Sequence, residues 1–510
     1  MIRVLSATIV IALAVLLAAA PTAAQDSAPE RAMVSLRVTS QPTSPALPWN
    51  KKPEQTLPAN AIVLPGRHLL TSADTIKDAT LIEARAFARY PSYPAEAVLV
   101  DYELDLALLT VDDPAFWEKL EPLPFGRTPG RNGRFRINRW RPNGRFEQGG
   151  GEMVDFQIAR SRFGAMEYPV LRGNTTMAGL GWAEMLTADG KIIGLITSHT
   201  EQEIEAVTGE LLERFVKAAE RTEYRGFVHR GFTWQALNQR DLRRAYGLRP
   251  DGAGVLVRRL FAEGTGHGSL RPGDILMELG DYTIDPEGQI DHPLYGPIRF
   301  TVALNETLQP HILAVVQRND ERKTLRLSRE RFTRAAYRVH PYRFDRDIDY
   351  TVFGGLVVQE LSSEFLHLWG RDWQDKAPAR LTMAFTLDSL RHAGDEPEKV
   401  LIVSKVLPDP ANLGYGDVEH AIITHANGRA VTSLQAFRDA IVHPEGDYHV
   451  IRTLPAQGRG KLVFRVDAMD ETNRRIRERY SLPPSPETSQ DAERASSQGD
   501  LAAIGITNAH

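Results

Sequence analysis

The sequence predicts a mainly β protein in which an all-β barrel or sandwich is followed by two smaller α+β units. Short β-like runs separated by Gly, Pro and Asp turns fill residues 61–199. Strand patterns with helix-like segments between them resume over residues 224–327 and 349–466. The chain of 510 residues is too long for one hydrophobic core, at about 100 to 200 residues per domain. We therefore expect several domains.

Residues 1–24 are predicted to be a secretory signal peptide. Arg3 precedes an unbroken small and apolar run, residues 4–20, and Pro21-Thr22-Ala23-Ala24 closes it with the small residues typical of a cleavage site. An uncleaved membrane anchor is the alternative, because the run almost reaches the length that spans a bilayer. The pattern predicts export, to the periplasm or outside the cell.

Composition excludes several site chemistries. The chain has no cysteine, so it cannot carry a disulfide, a thiolate zinc site or a cysteine nucleophile. Its histidines lack the spacing of paired metal ligands, and we expect neither a metal nor a cofactor. The net charge of -4 gives no overall attraction to nucleic acid.

The first domain is expected over residues 59–200. Residues 25–58 are rich in Pro, Ser, Thr and Ala, which predicts a flexible lead-in, and the apolar alternation at residues 33–38 fits one edge strand. Residues 201–221 carry apolar side chains three or four apart, the pattern of an amphipathic linker helix. These side chains are Ile204, Val207, Leu211, Phe215 and Ala219.

Two α+β units are predicted at residues 222–330 and 345–468. In each, an apolar run is followed by a turn with an aspartate and a second apolar run, so we interpret them as diverged copies of one module. Helical patterns in the second unit cover residues 379–390 and 434–441. Residues 469–510 are charged and then rich in Pro, Ser, Glu and Gln, which predicts a disordered tail.

Three segments of the first domain resemble the trypsin-like domain of the HtrA/Deg proteases, in that family's order. The segment Gly66-Arg67-His68-Leu69-Leu70-Thr71-Ser72-Ala73-Asp74 is similar to the strand and turn that present the catalytic histidine, and Asp74 stands at the histidine position. Residues 103–111 place Asp105 at the position of the aspartate that orients the histidine. Residues 179–194 place Gly181 where the family has its nucleophilic serine. Residues 116–126 resemble the plant-type Deg branch in particular.

The resemblance implies a trypsin-like double β-barrel with no intact catalytic triad. A serine hydroxyl needs an imidazole base, and glycine at 181 supplies no nucleophile. Loss of either group costs about a million-fold in kcat in a well-studied serine protease. Trp182 would also crowd the turn whose N–H groups form the oxyanion hole. The alternative, a displaced triad, has these candidate residues: Thr175, Thr176, Ser198 and His199.

The two α+β units resemble the PDZ domains of the same branch. Four residues match the loop whose N–H groups receive a peptide's C-terminal carboxylate: Tyr224, Arg225, Gly226 and Phe227. The strand edge that follows would accept the peptide by β-augmentation; the alternative is that Gly226 only makes a turn. Residues 354–358 and 366–373 carry the resemblance in the second unit, which the branch uses mostly for assembly. The resemblance therefore implies two PDZ-type α+β domains, peptide or protein C-terminal partners, and a homo-oligomer, a trimer or a multiple of it.

Arginines and aromatic residues crowd residues 127–146, a mixture also found in nucleic-acid-binding proteins. Export and the acidic overall charge argue against that partner and favour a solvated barrel strand and loop, with a local site for acidic lipid or peptide as an alternative. Altogether the sequence favours a proteolytically inactive HtrA/Deg homologue that binds peptides or misfolded chains, for protein quality control or as a regulatory scaffold. Two other hypotheses are an active serine endopeptidase with a displaced triad and a purely structural oligomeric scaffold.

Overall fold

The computed structural model describes residues 27–181, 183–221, 223–248, 252–370, 372–454 and 460–483. The predicted signal peptide, Trp182 and residues 484–510 of the predicted tail lie outside these ranges. Within these ranges, no helix has both the length and the apolar character needed to cross a bilayer.

Residues 28–110 form a first β-barrel. Its elements are α1 (Ala28–Arg31), β1 (Met33–Ser40), β2 (Gln55–Leu64), β3 (His68–Thr71), α2 (Ala73–Ile76), β4 (Ala79–Ala86), β5 (Tyr93–Pro94), β6 (Glu96–Asp101) and β7 (Leu106–Thr110). The strands pair in the order β5-β4-β1-β2-β3-β7-β6. Ala95 alone separates the two edge strands in the chain, so the sheet curls until its edges meet.

Residues 134–208 form a second barrel, which is closed by strand pairing in the order β10-β13-β12-β11-β8-β9. Its strands are β8 (Arg134–Trp140), β9 (Phe146–Arg160), β10 (Glu167–Thr175), β11 (Met185–Ala188), β12 (Lys191–His199) and β13 (Glu203–Thr208). Phe135 and Trp140 are buried, so the arginine-rich stretch does contain a barrel strand. The predicted double-barrel fold is confirmed.

The segment at residues 25–58 is not the predicted flexible lead-in. β1 lies inside the first sheet, where Met33 pairs with Ile62 of β2 and Val34 pairs with Ala86 of β4. The expectation of an edge strand was therefore wrong. An alternating sequence specifies which face of a strand is buried, but not whether both of its edges are paired.

The predicted linker helix begins later than expected. Residues 203–208 are β13, whose Ile204 and Val207 are buried in the second barrel. The helix α3 covers Gly209–Ala219, and Leu211 and Phe215 lie on its buried face. The β-branched residues before Gly209 favour the strand.

The first α+β unit packs directly against the second barrel. Its elements are β14 (Phe232–Gln235), α4 (Arg240–Ala245), β15 (Val255–Leu260), β16 (Ile275–Leu279), β17 (Tyr282–Thr283), β18 (Gln289–His292), β19 (Gly296–Arg299), a 3-10 helix (Phe300–Asn305), β20 (His311–Arg318) and β21 (Glu321–Ser328). The main sheet has the order β14-β15-β16-β20-β21. Every residue of the 3-10 helix is buried, because that helix lies between this sheet and β10.

The second unit repeats this plan with one strand added. Its elements are β22 (Tyr350–Phe353), β23 (Leu356–Glu360), α5 (Ser363–Leu366), α6 (Trp373–Lys376), α7 (Ala379–Asp388), β24 (Leu401–Val406), β25 (Ile422–Ala426), β26 (Arg429–Ala430), α8 (Leu434–Ile441), β27 (Tyr448–Thr453) and β28 (Lys461–Arg465). The order β22-β23-β24-β25-β27-β28 matches the first unit from β23 onward. β23 thus corresponds to β14, and β22 is the extra strand on its edge.

The predicted disordered tail begins with a packed helix. α9 covers Met469–Arg479, and its Ile476 is buried against Val357 and Leu407. Arg475 forms an ion pair with Asp409 at 2.7 Å. Met469 and Ile476 are seven residues apart and so share one helix face; two apolar residues among many charges gave too weak a pattern to predict it.

A buried hydrogen-bond network joins the first barrel to the first α+β unit. Glu103 lies just after β6, and its carboxylate accepts hydrogen bonds from Tyr337 Oη at 3.0 Å and from His229 Nε2. His229 Nδ1 accepts a hydrogen bond from the Phe332 N–H at 3.0 Å, so Nε2 carries the ring proton. All three side chains of this network, Glu103, His229 and Tyr337, are buried.

Candidate functional site

The Asp105 side chain holds the turn that resembles the catalytic-histidine turn. Asp105 Oδ1 accepts a hydrogen bond from Ser72 Oγ at 2.8 Å and one from the Asp74 N–H at 2.7 Å. Asp105 lies between β6 and β7 with a φ of 56°, a left-handed conformation that aspartate tolerates better than most residues. The structure therefore brings Asp74 and Asp105 together, as the resemblance implied.

The other oxygen of the Asp105 carboxylate, Oδ2, has different surroundings from those of a triad aspartate. Asp105 Oδ2 is buried without a hydrogen-bond partner among the described residues. In the triad, the aspartate orients an imidazole N–H, and this chain has no imidazole at position 74. Burial, with Asp74 nearby, raises the pKa of the Asp105 carboxyl to about 6, because desolvation disfavours the charged form.

The Asp74 carboxylate is committed to cations. It accepts a hydrogen bond from Lys77 Nζ and lies 3.6 Å from an Arg162 nitrogen. Both oxygens of the Asp74 carboxylate therefore face a cation.

A side chain at position 181 would require the exposed His199 ring to move. A Cβ built on Gly181 would lie 2.6 Å from His199 Nε2, and the backbone φ is 116°. The Gly181 N–H points at the Glu184 carboxylate, with both oxygens at 3.1 Å. In the family's mechanism, N–H groups of this turn stabilise the oxyanion. In this chain, the Glu184 carboxylate accepts that hydrogen bond from the Gly181 N–H, in the place where an oxyanion would accept it.

Glu184 contacts the Gly181 turn and was not singled out from the sequence. Its side chain is fully buried and lies 3.7 Å from Arg139, which donates hydrogen bonds to the carbonyls of Ala178 and Gly179. The signal was present, because an acid within the apolar run of residues 183–186 has to find a buried partner.

The candidate residues of a displaced triad do not contact one another. Among the described residues, no hydrogen bond joins Thr175, Thr176 or Ser198 to His199. Ser198 and His199 are consecutive residues of β12, so their side chains point to opposite faces of the strand. Thr175 Oγ1 donates to the Gly150 carbonyl, and Thr176 is exposed.

The predicted carboxylate-binding loop packs its side chains on the rest of the molecule. Tyr224 Oη donates a hydrogen bond to Asp101 at 2.6 Å, and Phe227 is buried in the core cluster of the first barrel. Gly226 faces Arg331, whose guanidinium would lie 2.1 Å from an added Cβ, while Arg225 forms an exposed ion pair with Glu223. These contacts involve side chains, so peptide binding by the backbone N–H groups of Tyr224, Arg225, Gly226 and Phe227 stays a prediction.

A cavity lies immediately after that loop, where the loop, the 3-10 helix and the β9–β10 turn meet. Its volume is about 120 Å³. The lining residues are Arg160, Ala165, Glu167, Val228, Arg230, Phe261, Thr301, Leu304, Phe332 and Leu390. Thr301 Oγ1 is buried there without a hydrogen-bond partner among the described residues. Sequence reasoning missed this site because Phe332 and Leu390 reach it from distant segments that carry no motif.

The equivalent edge of the second unit is occupied. β22 pairs antiparallel with β23, with Tyr350 opposite Gln359 and Phe353 opposite Leu356. Arg438 of α8 fixes β22 by donating hydrogen bonds to Thr351 Oγ1 at 2.8 Å and to the Tyr350 carbonyl at 3.0 Å. The chain thus covers the edge of β23, whereas β14 pairs only with β15 within the described residues.

Comparison with known proteins finds relatives of the chain among Do-like proteases and a matching PDZ family model. A family model described as a PDZ domain matches residues 339–491. "Putative protease Do-like 3, mitochondrial" of Arabidopsis thaliana is 23% identical over 412 residues, which cover 76% of this chain and 68% of that protein. "Protease Do-like 2, chloroplastic" of the same plant is 22% identical over 437 residues, covering 81% of this chain and 68% of that protein.

Among solved structures, the HtrA-type protease AlgW with decapeptide is 18% identical, with a TM-score of 0.44, and the match covers 60% of this chain and 99% of that chain. The serine endoprotease from Yersinia pestis is 16% identical, with a TM-score of 0.39, over 61% of this chain and 99% of that chain. The sequence relatives of this chain are therefore Do-like proteases of the HtrA/Deg type, and its Arabidopsis relatives fit the plant-type Deg branch.

Proposed function

We propose that this protein is an exported HtrA/Deg homologue without serine-protease activity, which binds peptide segments of other proteins at its first PDZ unit. The observation that carries the proposal is the Gly181 turn, which has no hydroxyl and whose N–H is occupied by Glu184. Acyl transfer needs both a nucleophile and free oxyanion donors. Export is supported by the signal-like residues 1–24.

The cavity at the end of the first PDZ unit supports peptide binding. β14 offers an unpaired edge within the described residues, and the cavity lies beside the segment that leads into that strand. Its walls combine apolar side chains, such as Val228, Leu304 and Phe332, with two arginines, Arg160 and Arg230, and one acid, Glu167. An extended chain that ends in an aliphatic residue and a free carboxylate fits this combination of an edge, an apolar pocket and net positive charge.

Calorimetry with the mature full-length chain and C-terminal peptides tests this proposal. We expect saturable binding of peptides with an aliphatic last residue, and loss of that binding when the C-terminus is amidated. Val228→Phe fills the cavity wall and should abolish binding. Val442→Phe is the matched control, because Val442 is 71% exposed and distant in sequence from the cavity residues.

A purely structural scaffold is the second candidate, because the chain's own β22 covers the edge of β23 in the second PDZ unit. That function predicts no peptide binding, or binding that Val228→Phe leaves unchanged. A structural scaffold also has to self-assemble, and we propose a trimer or a multiple of a trimer. Mass photometry of the mature protein measures the subunit number.

A further inference from the structure

The segment that joins the two PDZ units lies across the first barrel. We call residues 342–347 the strap. Its Tyr342 and Phe344 rings pack against Tyr102, with ring centroids 5.2 and 5.0 Å apart. Phe344 also packs edge-on against Phe163 of the second barrel at 5.0 Å. The strap is therefore held by aromatic side chains from both barrels.

Reciprocal hydrogen bonds fix the strap backbone. The Asp345 N–H donates to Asp78 Oδ1 at 2.9 Å, and the Asp78 N–H donates to Asp345 Oδ1 at 2.7 Å. Tyr102 Oη also donates to Asp345. Further along the strap, Lys51 forms an ion pair with Asp347 at 2.7 Å. The strap thus has a defined position on the barrel.

Asp74 takes part in this arrangement through a cation. Lys77 Nζ is hydrogen-bonded to Asp74 and lies 5.4 Å from the centre of the Phe344 ring and 5.8 Å from that of Phe163. A cation over an aromatic face is attracted to it. The carboxylate at the former histidine position therefore holds the ammonium group that the strap covers.

We propose that Asp74 has replaced the catalytic histidine in order to anchor the strap, and that this contact holds the second PDZ unit against the degenerate protease domain. A histidine at this position would take away the counter-ion of Lys77 and Arg162. The histidine that proteolysis requires at position 74 would therefore also release the strap. This inference does not depend on peptide binding by the first PDZ unit.

Hydrogen exchange of the Asp78 and Asp345 amides in the full chain tests the proposal. We expect both amides to be protected in the wild type and to exchange on the order of tenfold faster in Asp74→His, because a lost charge-assisted contact shifts local opening by about that factor. Asp155→His is the matched control. Asp155 is ion-paired to Arg172 and its side chain is 27% exposed, against 28% for Asp74, but it lies far from the strap in sequence.

A disulfide test covers the case in which Asp74→His does not fold. The chain has no cysteine. The double variant Asp78→Cys with Asp345→Cys therefore reports only on the contact between these two positions. We expect this pair to form an intramolecular disulfide under mild oxidation, and the pair Asp78→Cys with Asp349→Cys not to form one. Unchanged exchange in folded Asp74→His, or failure of the first pair to cross-link, would overturn the proposal.

Discussion

We expect a serine at position 181 to clash with the side chain of His199. Its Cβ would lie 2.6 Å from His199 Nε2, at a φ of 116° that L side chains rarely adopt. We therefore expect Asp74→His combined with Gly181→Ser to stay unreactive toward a fluorophosphonate. We also expect the free energy of unfolding to fall by about 1–3 kcal/mol, measured by urea denaturation.

Gly190→Ser separates backbone strain from the steric clash. Gly190 also has a positive φ, 72°, but an added Cβ would have no atom within 4 Å. This variant should lose only about 1 kcal/mol of stability. Covalent labelling of the double variant, or a stability loss no larger than that of Gly190→Ser, would contradict the interpretation of the turn.

The raised pKa of Asp105 predicts that the free energy of unfolding depends on pH. Its folded-state pKa is raised to about 6, above about 3.9 in an unfolded chain. The stability that it contributes is therefore fully present below about pH 4 and is lost as the pH rises through about 6. Asp105→Asn should gain stability relative to wild type by up to about 3 kcal/mol between pH 4 and pH 8. A difference in unfolding free energy that stays constant over this range would show that the buried carboxylate is not the cause.

At the scale of elements, the Arg438 side chain adds to the strand pairing that holds β22 on β23. Arg438 pairs with Asp349 at 2.6 Å and donates to Thr351 and Tyr350. Without these charge-assisted bonds, β22 should open from β23 at least about tenfold more often. Hydrogen exchange of the β22 amides in Arg438→Ala measures this opening. Exposed Arg452 provides the control variant Arg452→Ala, and equal protection in both variants would mean that Arg438 does not secure the strand.

Elements with a clear period were predictable, and elements decided by distant contacts were not. The α8 helix was predicted with its observed bounds, Leu434–Ile441, because its apolar spacing is regular. The central position of β1 depends on pairing with β4, and the helical state of α9 depends on packing against Val357. Neither partner is visible from the local sequence.

The same distinction applies to the site. Asp74, Asp105 and Gly181 were found because they belong to ordered motifs, and the structure places the first two in contact. The cavity beside the first PDZ unit was not predictable, because six separated segments line it. The contacts of the predicted loop with Asp101 and the first barrel's core were not predictable either, because these partners are distant in sequence.

On the scale of the whole molecule, the segment that carries Asp105 also contacts residues beyond the protease domain. The loop of β6 and β7 carries three buried acids, Asp101, Glu103 and Asp105. Asp101 binds Tyr224, and Glu103 binds His229 and Tyr337, all of which lie beyond the protease domain. Only Asp105 still binds the histidine-type turn. Buried carboxylates need such partners, so this loop now stabilises the docking of the first PDZ unit.

We propose that the protein has no reactive serine. Incubation of the purified full-length protein with an excess of a fluorophosphonate, followed by intact mass spectrometry, tests this proposal, with an active serine protease as the positive control. We expect no mass increase on the chain, since Gly181 offers no hydroxyl and, among the described residues, no serine is hydrogen-bonded to His199. A stoichiometric adduct that maps to Ser198, or to any other serine of the protease domain, would contradict it.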